Sequence, residues 1–196
     1  MEMLTLLGLM ATSMSERSIC VRLPRVLVEK IREIGLDVES LVIDVIVERL
    51  SSDPEEEARI HVEIAEHFLS EAKRYIEVND PVQASEKLYK VAEECIKALA
   101  IRYKISEFEK AREAGRWKTR LLDKAALRLS QILNEPLIVD AWDTAFKLHV
   151  DGFHEARLDI DYIRARLPKI EQLLKKTKEL LEKQQSYKFG ENGVVH

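Results

Sequence analysis

The 196-residue chain is 46% hydrophobic and 34% charged, and 31 basic against 35 acidic residues leave a net charge of −4. This composition excludes disorder and collagen-like repeats, and a net negative chain does not bind nucleic acid or anionic membrane indiscriminately, so any basic site has to be local. No apolar run reaches the roughly 20 residues a membrane-spanning helix needs, and the widely separated Cys20 and Cys95 have no zinc-type spacing. A cytoplasmic protein with no metal, no cofactor and no membrane association is expected.

Residues 1–13 hold an apolar stretch without a basic start. They read as a mis-assigned start upstream of Met14, or as a disordered segment, rather than as a signal peptide. High charge with three Asn and five Gln also fits a thermophile composition. In residues 18–24, Ile19, Val21 and Leu23 alternate with Ser18, Cys20 and Arg22, the period of a half-buried strand. Nothing else in the chain reads as its neighbour, so its expected partner is the same strand of a second subunit. Pro24 opens a helix carrying Leu27, Ile31 and Ile34, which Gly35 stops. Asp37 caps a second helix that runs to about Leu50 and buries Leu41, Val45 and Val47.

This strand–helix–helix segment, Ser18 to Leu50, resembles the ribbon-helix-helix family, whose paired strands lie in the DNA major groove. The resemblance implies a homodimer that contacts DNA through Ser18, Cys20 and Arg22, with Arg17 and Arg25 alongside. Asp37 and Glu39 place negative charge where that family docks a phosphate on the second helix. The other reading is a ribbon that dimerises without touching DNA.

A linker at Ser51-Ser52-Asp53-Pro54 separates this module, residues 14–52, from a helical bundle over 54–183, with a disordered tail at 184–196. Ile60, Ile64, Phe68, Ala72 and Tyr75 line the first bundle helix, which ends at Asn79-Asp80-Pro81. The next buries Leu88, Val91, Cys95, Ala98 and Leu99 and turns Glu86, Lys90, Glu93 and Lys97 outward as paired charges. A basic, glycine-containing stretch from Lys104 to Lys118 precedes a third helix on Leu122, Ala126, Leu129 and Leu133. In the fourth, Phe146, Phe153, Ile160 and Leu167 interleave with Trp142, His149, Ala156 and Ile163 at seven-residue spacing up to Pro168, beyond which a last helix follows. The expected fold is mainly α: a short N-terminal strand plus two helices, then an antiparallel four- to five-helix bundle.

No phosphate loop, nucleophile elbow, HExxH or dinucleotide fingerprint is present. What remains is His149 in the apolar seam, His154, and Gly152 between them, where a missing side chain admits a neighbouring backbone. On an ideal α-helix residues five apart lie about 140° apart, which argues against the two histidines chelating one metal. His61, beside the first helix's apolar stripe, could face His149. Arg116, Trp117, Lys118 and Arg120 form a basic cluster with an aromatic, suited to a phosphate contact or to a solvated helix start with Trp117 tucked inward.

Residues 54–183 resemble the archaeal PaREP family in the run Ala84 to Glu94, in Arg116 to Leu121, and most specifically in Leu148 to Glu155. That family is grouped with the HEPN superfamily of helical bundles, many of them metal-independent ribonucleases or partners in toxin–antitoxin systems. HEPN nucleases carry Arg, four to six residues, then His; here a histidine, His149, stands where the arginine would be. The resemblance implies His154 as general acid/base with Lys147 or His149 in the arginine's place; apart from it, a partner or ligand cleft is expected at His149, Gly152, His154 and Trp117. The leading reading is a non-enzymatic, dimeric DNA-binding regulator or antitoxin-like protein whose bundle binds a partner, such as a cognate toxin or antitoxin. The alternative is a HEPN-type metal-independent RNase or RNA-processing protein whose N-terminal ribbon only dimerises.

Overall fold

The computed structural model describes residues 21–34, 37–51 and 53–190, with side chains to residue 182. The chain divides into two compact units, residues 1–43 and 44–196. Every regular element among the described residues is a helix, which corrects the expected N-terminal strand. Val21 to Pro24 form no strand; the Pro24 carbonyl instead accepts from the Leu27 and Val28 amides, and α1 (Arg25–Glu33) begins straight after Pro24. The reason is the one that made the strand problematic in sequence: a lone extended segment has no ladder to satisfy its backbone groups. Arg17, Ser18 and Cys20, three of the proposed DNA contacts, lie outside the described residues.

The first unit holds α1 and the start of α2 (Val38–Leu50), where Asp37 Oδ1 accepts from the Ser40 amide at 2.8 Å as the expected N-cap. Ile31 is buried, whereas Leu27 and Ile34, which share its helical repeat, are exposed. Farther along α2, in the second unit, Val47 is buried, but Val45 is exposed.

The second unit uses one local device twice. Asp53 caps α3 (Pro54–Glu77) by accepting from the Glu55 and Glu56 amides, and Asp80 caps α4 (Pro81–Arg102) through the Gln83 amide; each is followed by proline at the first helical position. Asn79 takes the left-handed backbone that turns α3 into α4, with φ at 60°. A short α5 (Ser106–Glu113) lies within the basic, glycine-containing stretch from Lys104 to Lys118, anchored by buried Phe108 and Ala111. α6 (Thr119–Ile132) and α7 (Leu137–Lys147) follow as expected. The fourth helix, however, does not continue to Pro168. α7 passes into a π-helical segment, Leu148–His154, then into irregular chain over 155–159, and α8 (Ile160–Gly190) runs through Pro168. The seven-residue seam is therefore split: Trp142 and Ile163 are in the core, while Phe146 and Ala156 are exposed. No helix among the described residues is long and apolar enough to cross a membrane.

α4 is the axis of the bundle, with α3, α5, α6, α7, the π-helical segment and α8 all packed on it. Consequently Glu86, Lys90, Glu93 and Lys97, read as an outward charged face, are buried, and Lys97 has no exposed surface. The charges answer one another. Lys97 Nζ lies 2.7 Å from Asp44, 2.8 Å from Glu93 and 2.9 Å from Glu94, and Glu94 also meets His61 Nδ1 at 2.5 Å. His61 therefore bonds a carboxylate of α4 rather than facing His149.

Burial alone would raise the Glu94 pKa; the Lys97 ammonium, then His61, outweigh it and hold the carboxyl at about 2. Around Glu93 burial wins over Lys97 and Lys90, and the pKa rises. Lys97, which burial would lower, is raised well above its ordinary value by Glu93, Glu94 and Asp44.

Removing Lys97 takes away the cation that Asp44, Glu93 and Glu94 share and leaves Glu94 with His61 alone. Lys97→Met is expected to cost about 3–5 kcal/mol in urea unfolding at pH 7. Because the Glu94 pKa is depressed, its contribution is complete above its ordinary 4.5 and is lost as pH falls toward 2. Unfolding measured between pH 5 and 2 should lose stability less steeply in Glu94→Gln than in the wild type.

Candidate functional site

The π-helical segment determines which side chains meet. With i→i+5 backbone closure, residues five apart stack on one face, and the closure continues past its end: the Glu155 amide donates to the Val150 carbonyl at 3.0 Å. Ala156 then takes a left-handed backbone, φ 50°, and the Arg157 amide closes onto the Asp151 carbonyl at 2.8 Å. A non-glycine residue held in that region is a local strain of order 1 kcal/mol or more. His149 and His154 consequently face each other, with their Nε2 atoms 2.9 Å apart. The 140° separation expected on an α-helix does not apply, because this turn is not α-helical.

His149 is fixed from three sides. Its Nδ1 lies 2.7 Å from Glu86 Oε2 on α4. Its ring stacks on Tyr89 one turn farther along α4, centroids 4.1 Å apart and planes 26° apart, and Phe153 lies against it at 5.9 Å. Tyr89 is itself held by a hydrogen bond to Thr119 at the start of α6, and burial, then Glu93 and Glu86, push its phenol far above the ordinary range, so it packs as a neutral ring. His149 is partly buried and His154 is exposed, which makes the row Glu86–His149–His154 run from the bundle interior to its surface.

The Glu86 carboxylate can only accept, so His149 Nδ1 carries the hydrogen and its Nε2 offers a lone pair to the Nε2–H of His154. His154 Nδ1 is then the free basic nitrogen at the outer end.

Gly152 holds the segment against α4. A Cβ built on it would stand 2.1 Å from Ser85 Oγ and 2.7 Å from Ser85 Cβ. Here the missing side chain admits a neighbouring side chain, Ser85, whose buried hydroxyl has no hydrogen-bond partner. Lys147 pairs with Asp151 one turn on, and this bond, then the charge of Asp151, raise its pKa. Trp117 is half-buried in the α5–α6 loop, two residues before Thr119, and makes no ring contact with either histidine. Arg22 and Arg25 are both exposed, Arg25 being paired with Glu29 at 2.6 Å. Among the described residues no group of three or more His, Cys, Asp or Glu is arranged to hold a metal. Burial pushes the Cys95 thiol up to about 12, so it is no nucleophile.

Glu86, Tyr89 and Thr119 escaped sequence reading. For Glu86 the available signal, an i,i+4 charge pattern on a helix, is the same pattern a solvated face shows. Gly152→Ala should destabilise the bundle by about 1–3 kcal/mol in chemical unfolding. In the Ser85→Gly background, which vacates the opposing Cβ, the same change should cost measurably less.

The family model described as the archaeal PaREP1/PaREP8 family matches residues 60–174, a span that contains every residue of this row. A crystal structure of a Sulfolobus solfataricus protein is 34% identical, with a TM-score of 0.54, over 59% of this chain and 93% of that one. A solution structure of the same structural-genomics target is 35% identical, with a TM-score of 0.54, over 60% and 91%. No curated protein matches the chain significantly. The chain belongs to the archaeal PaREP1/PaREP8 family.

Proposed function

We propose that the Glu86–His149–His154 row is a general acid–base centre, and that it acts on phosphodiester bonds of RNA without a metal. The observation that carries the reading is the 2.9 Å contact between the two imidazole Nε2 atoms, anchored at its inner end by Glu86. It is supported by the exposure of His154, the end of the row that a substrate can reach. Another support is the spacing of the HEPN nuclease pattern, an arginine and a histidine four to six residues on, which His149 and His154 match in spacing, with His149 where the arginine would stand.

In this reading His154 Nδ1 takes the proton of the ribose 2′-hydroxyl as its oxygen attacks the adjacent phosphorus. His149 shares the resulting positive charge beside the phosphate, the role an arginine has in the HEPN pattern, while Glu86 keeps the imidazole in its Nδ1–H tautomer and orientation. Protonated His154 then returns the proton to the leaving 5′-oxygen. Lys147, already paired with Asp151, is a weaker candidate for the phosphate.

Labelled single-stranded RNA incubated with the protein in excess EDTA should be cleaved, and His154→Ala should lose about 10²–10⁴-fold in rate. Glu86→Gln should keep the fold and lose most of the activity. Intact RNA with the wild type, or an unaltered rate in His154→Ala, would contradict the proposal.

A second reading concerns the first unit and rests on its uncovered apolar side chains: Val26, Leu27 and Ile34 are 62%, 45% and 63% exposed. Such a surface on α1 supports self-association into the homodimer, without requiring a strand. In analytical ultracentrifugation the full chain should sediment as a dimer and Leu27→Glu/Ile34→Glu as a monomer; a dimer in both would place the interface elsewhere.

A further inference from the structure

We infer that His149 and His154 also form a binding site for one divalent transition-metal ion of the zinc class. Two imidazoles displayed on one helical face at i and i+4 are a standard pair of metal ligands on an α-helix. The π-helical turn performs the same service for residues five apart, and here both ligating atoms are the same nitrogen, Nε2, turned toward one another. In a tetrahedral site with metal–nitrogen bonds of 2.0–2.1 Å, two ligand nitrogens stand about 3.3 Å apart. The two Nε2 atoms at 2.9 Å need only a few tenths of an ångström of opening to straddle an ion.

The two histidines are suited to different parts in that opening. His149 is already oriented as a ligand: its second ring nitrogen is bonded to the Glu86 carboxylate, which fixes the tautomer and leaves Nε2 as the free lone pair. His154 is exposed and can rotate to admit the ion. Imidazole selects zinc, copper and nickel over magnesium and calcium. With no third His, Cys, Asp or Glu joining the pair among the described residues, water completes the coordination sphere. The ion would take the place of the shared hydrogen between the two rings, so metal occupancy and acid–base work exclude each other. The inference does not depend on the protein being a nuclease, since binding is read without turnover.

The test is isothermal titration calorimetry of zinc chloride into the full-length chain carrying no polyhistidine tag. One ion per chain should bind the wild type, and both His154→Ala and His149→Ala should abolish that binding with an unchanged helical circular dichroism spectrum. Glu86→Gln should weaken it by about 10–100-fold. Absence of binding to the wild type, or retention of wild-type stoichiometry and affinity in His154→Ala, would overturn the assignment. RNA cleavage in EDTA together with absent zinc binding would remove this inference alone, and zinc binding without cleavage would remove only the nuclease reading.

Discussion

Burial of α4 on every side is the constraint from which the rest of the bundle follows. A helix enclosed by its neighbours is normally apolar all round, yet α4 brings Glu86, Lys87, Lys90, Glu93, Glu94 and Lys97 into the interior. Each such charge has to be paired, because an isolated one is costly to remove from water. The pairing partners come from separate elements: His61 from α3, Asp44 from α2, His149 from the π-helical segment. The polar side chains of α4 thus specify which residues of the surrounding helices must face it, while Leu88, Val91, Cys95, Ala98 and Leu99 supply the apolar contact.

The two ends of this polar row have different fates. At Lys97 the ammonium, Glu93 and Glu94 are buried, only Asp44 reaching the surface in part, and the cluster pairs its charges internally. At Glu86 it opens outward through two imidazoles, and the acceptor chemistry becomes available at the surface. The difference arises from the π-helical turn. Had Leu148–His154 continued as α-helix, His154 would point well away from His149, and the Glu86–His149 pair would be another buried contact. The segment with i→i+5 closure lies close against Ser85 at Gly152 and is followed by the left-handed residue Ala156. Such π-turns are often found where function has displaced regularity.

Much of the helical framework was legible in the chain. The paired Asp-Pro starts at 53–54 and 80–81 are local signals, and local hydrogen bonds realise them. Gly152 could be singled out because a glycine within an apolar helical pattern calls for a close approach, and Ser85 is what approaches. Trp142, Leu122 and Leu129 were readable as core for the usual reason of periodicity. Three things were not readable. Charge pairs at i and i+4 look the same on a buried helix as on a solvated one, so the inward orientation of Glu86 and Lys97 depended on tertiary packing. A π-turn has no residue signature comparable to a cap, so residue spacing alone gives the histidines their α-helical separation of about 140°. The alternating residues near Val21 satisfied a strand period, but periodicity carries no information on whether a hydrogen-bonding neighbour exists.

The chemistry of the row depends on Glu86 fixing His149 as the Nδ1–H tautomer, so that its Nε2 accepts from His154. Long-range ¹H–¹⁵N correlation spectra of protein labelled at the histidine ring nitrogens read this state directly. A protonated Nδ1 and an unprotonated, hydrogen-bonded Nε2 are expected for His149, with Glu86→Gln shifting both resonances. A His149 found as the Nε2–H tautomer, or ring resonances that Glu86→Gln leaves unchanged, would contradict it.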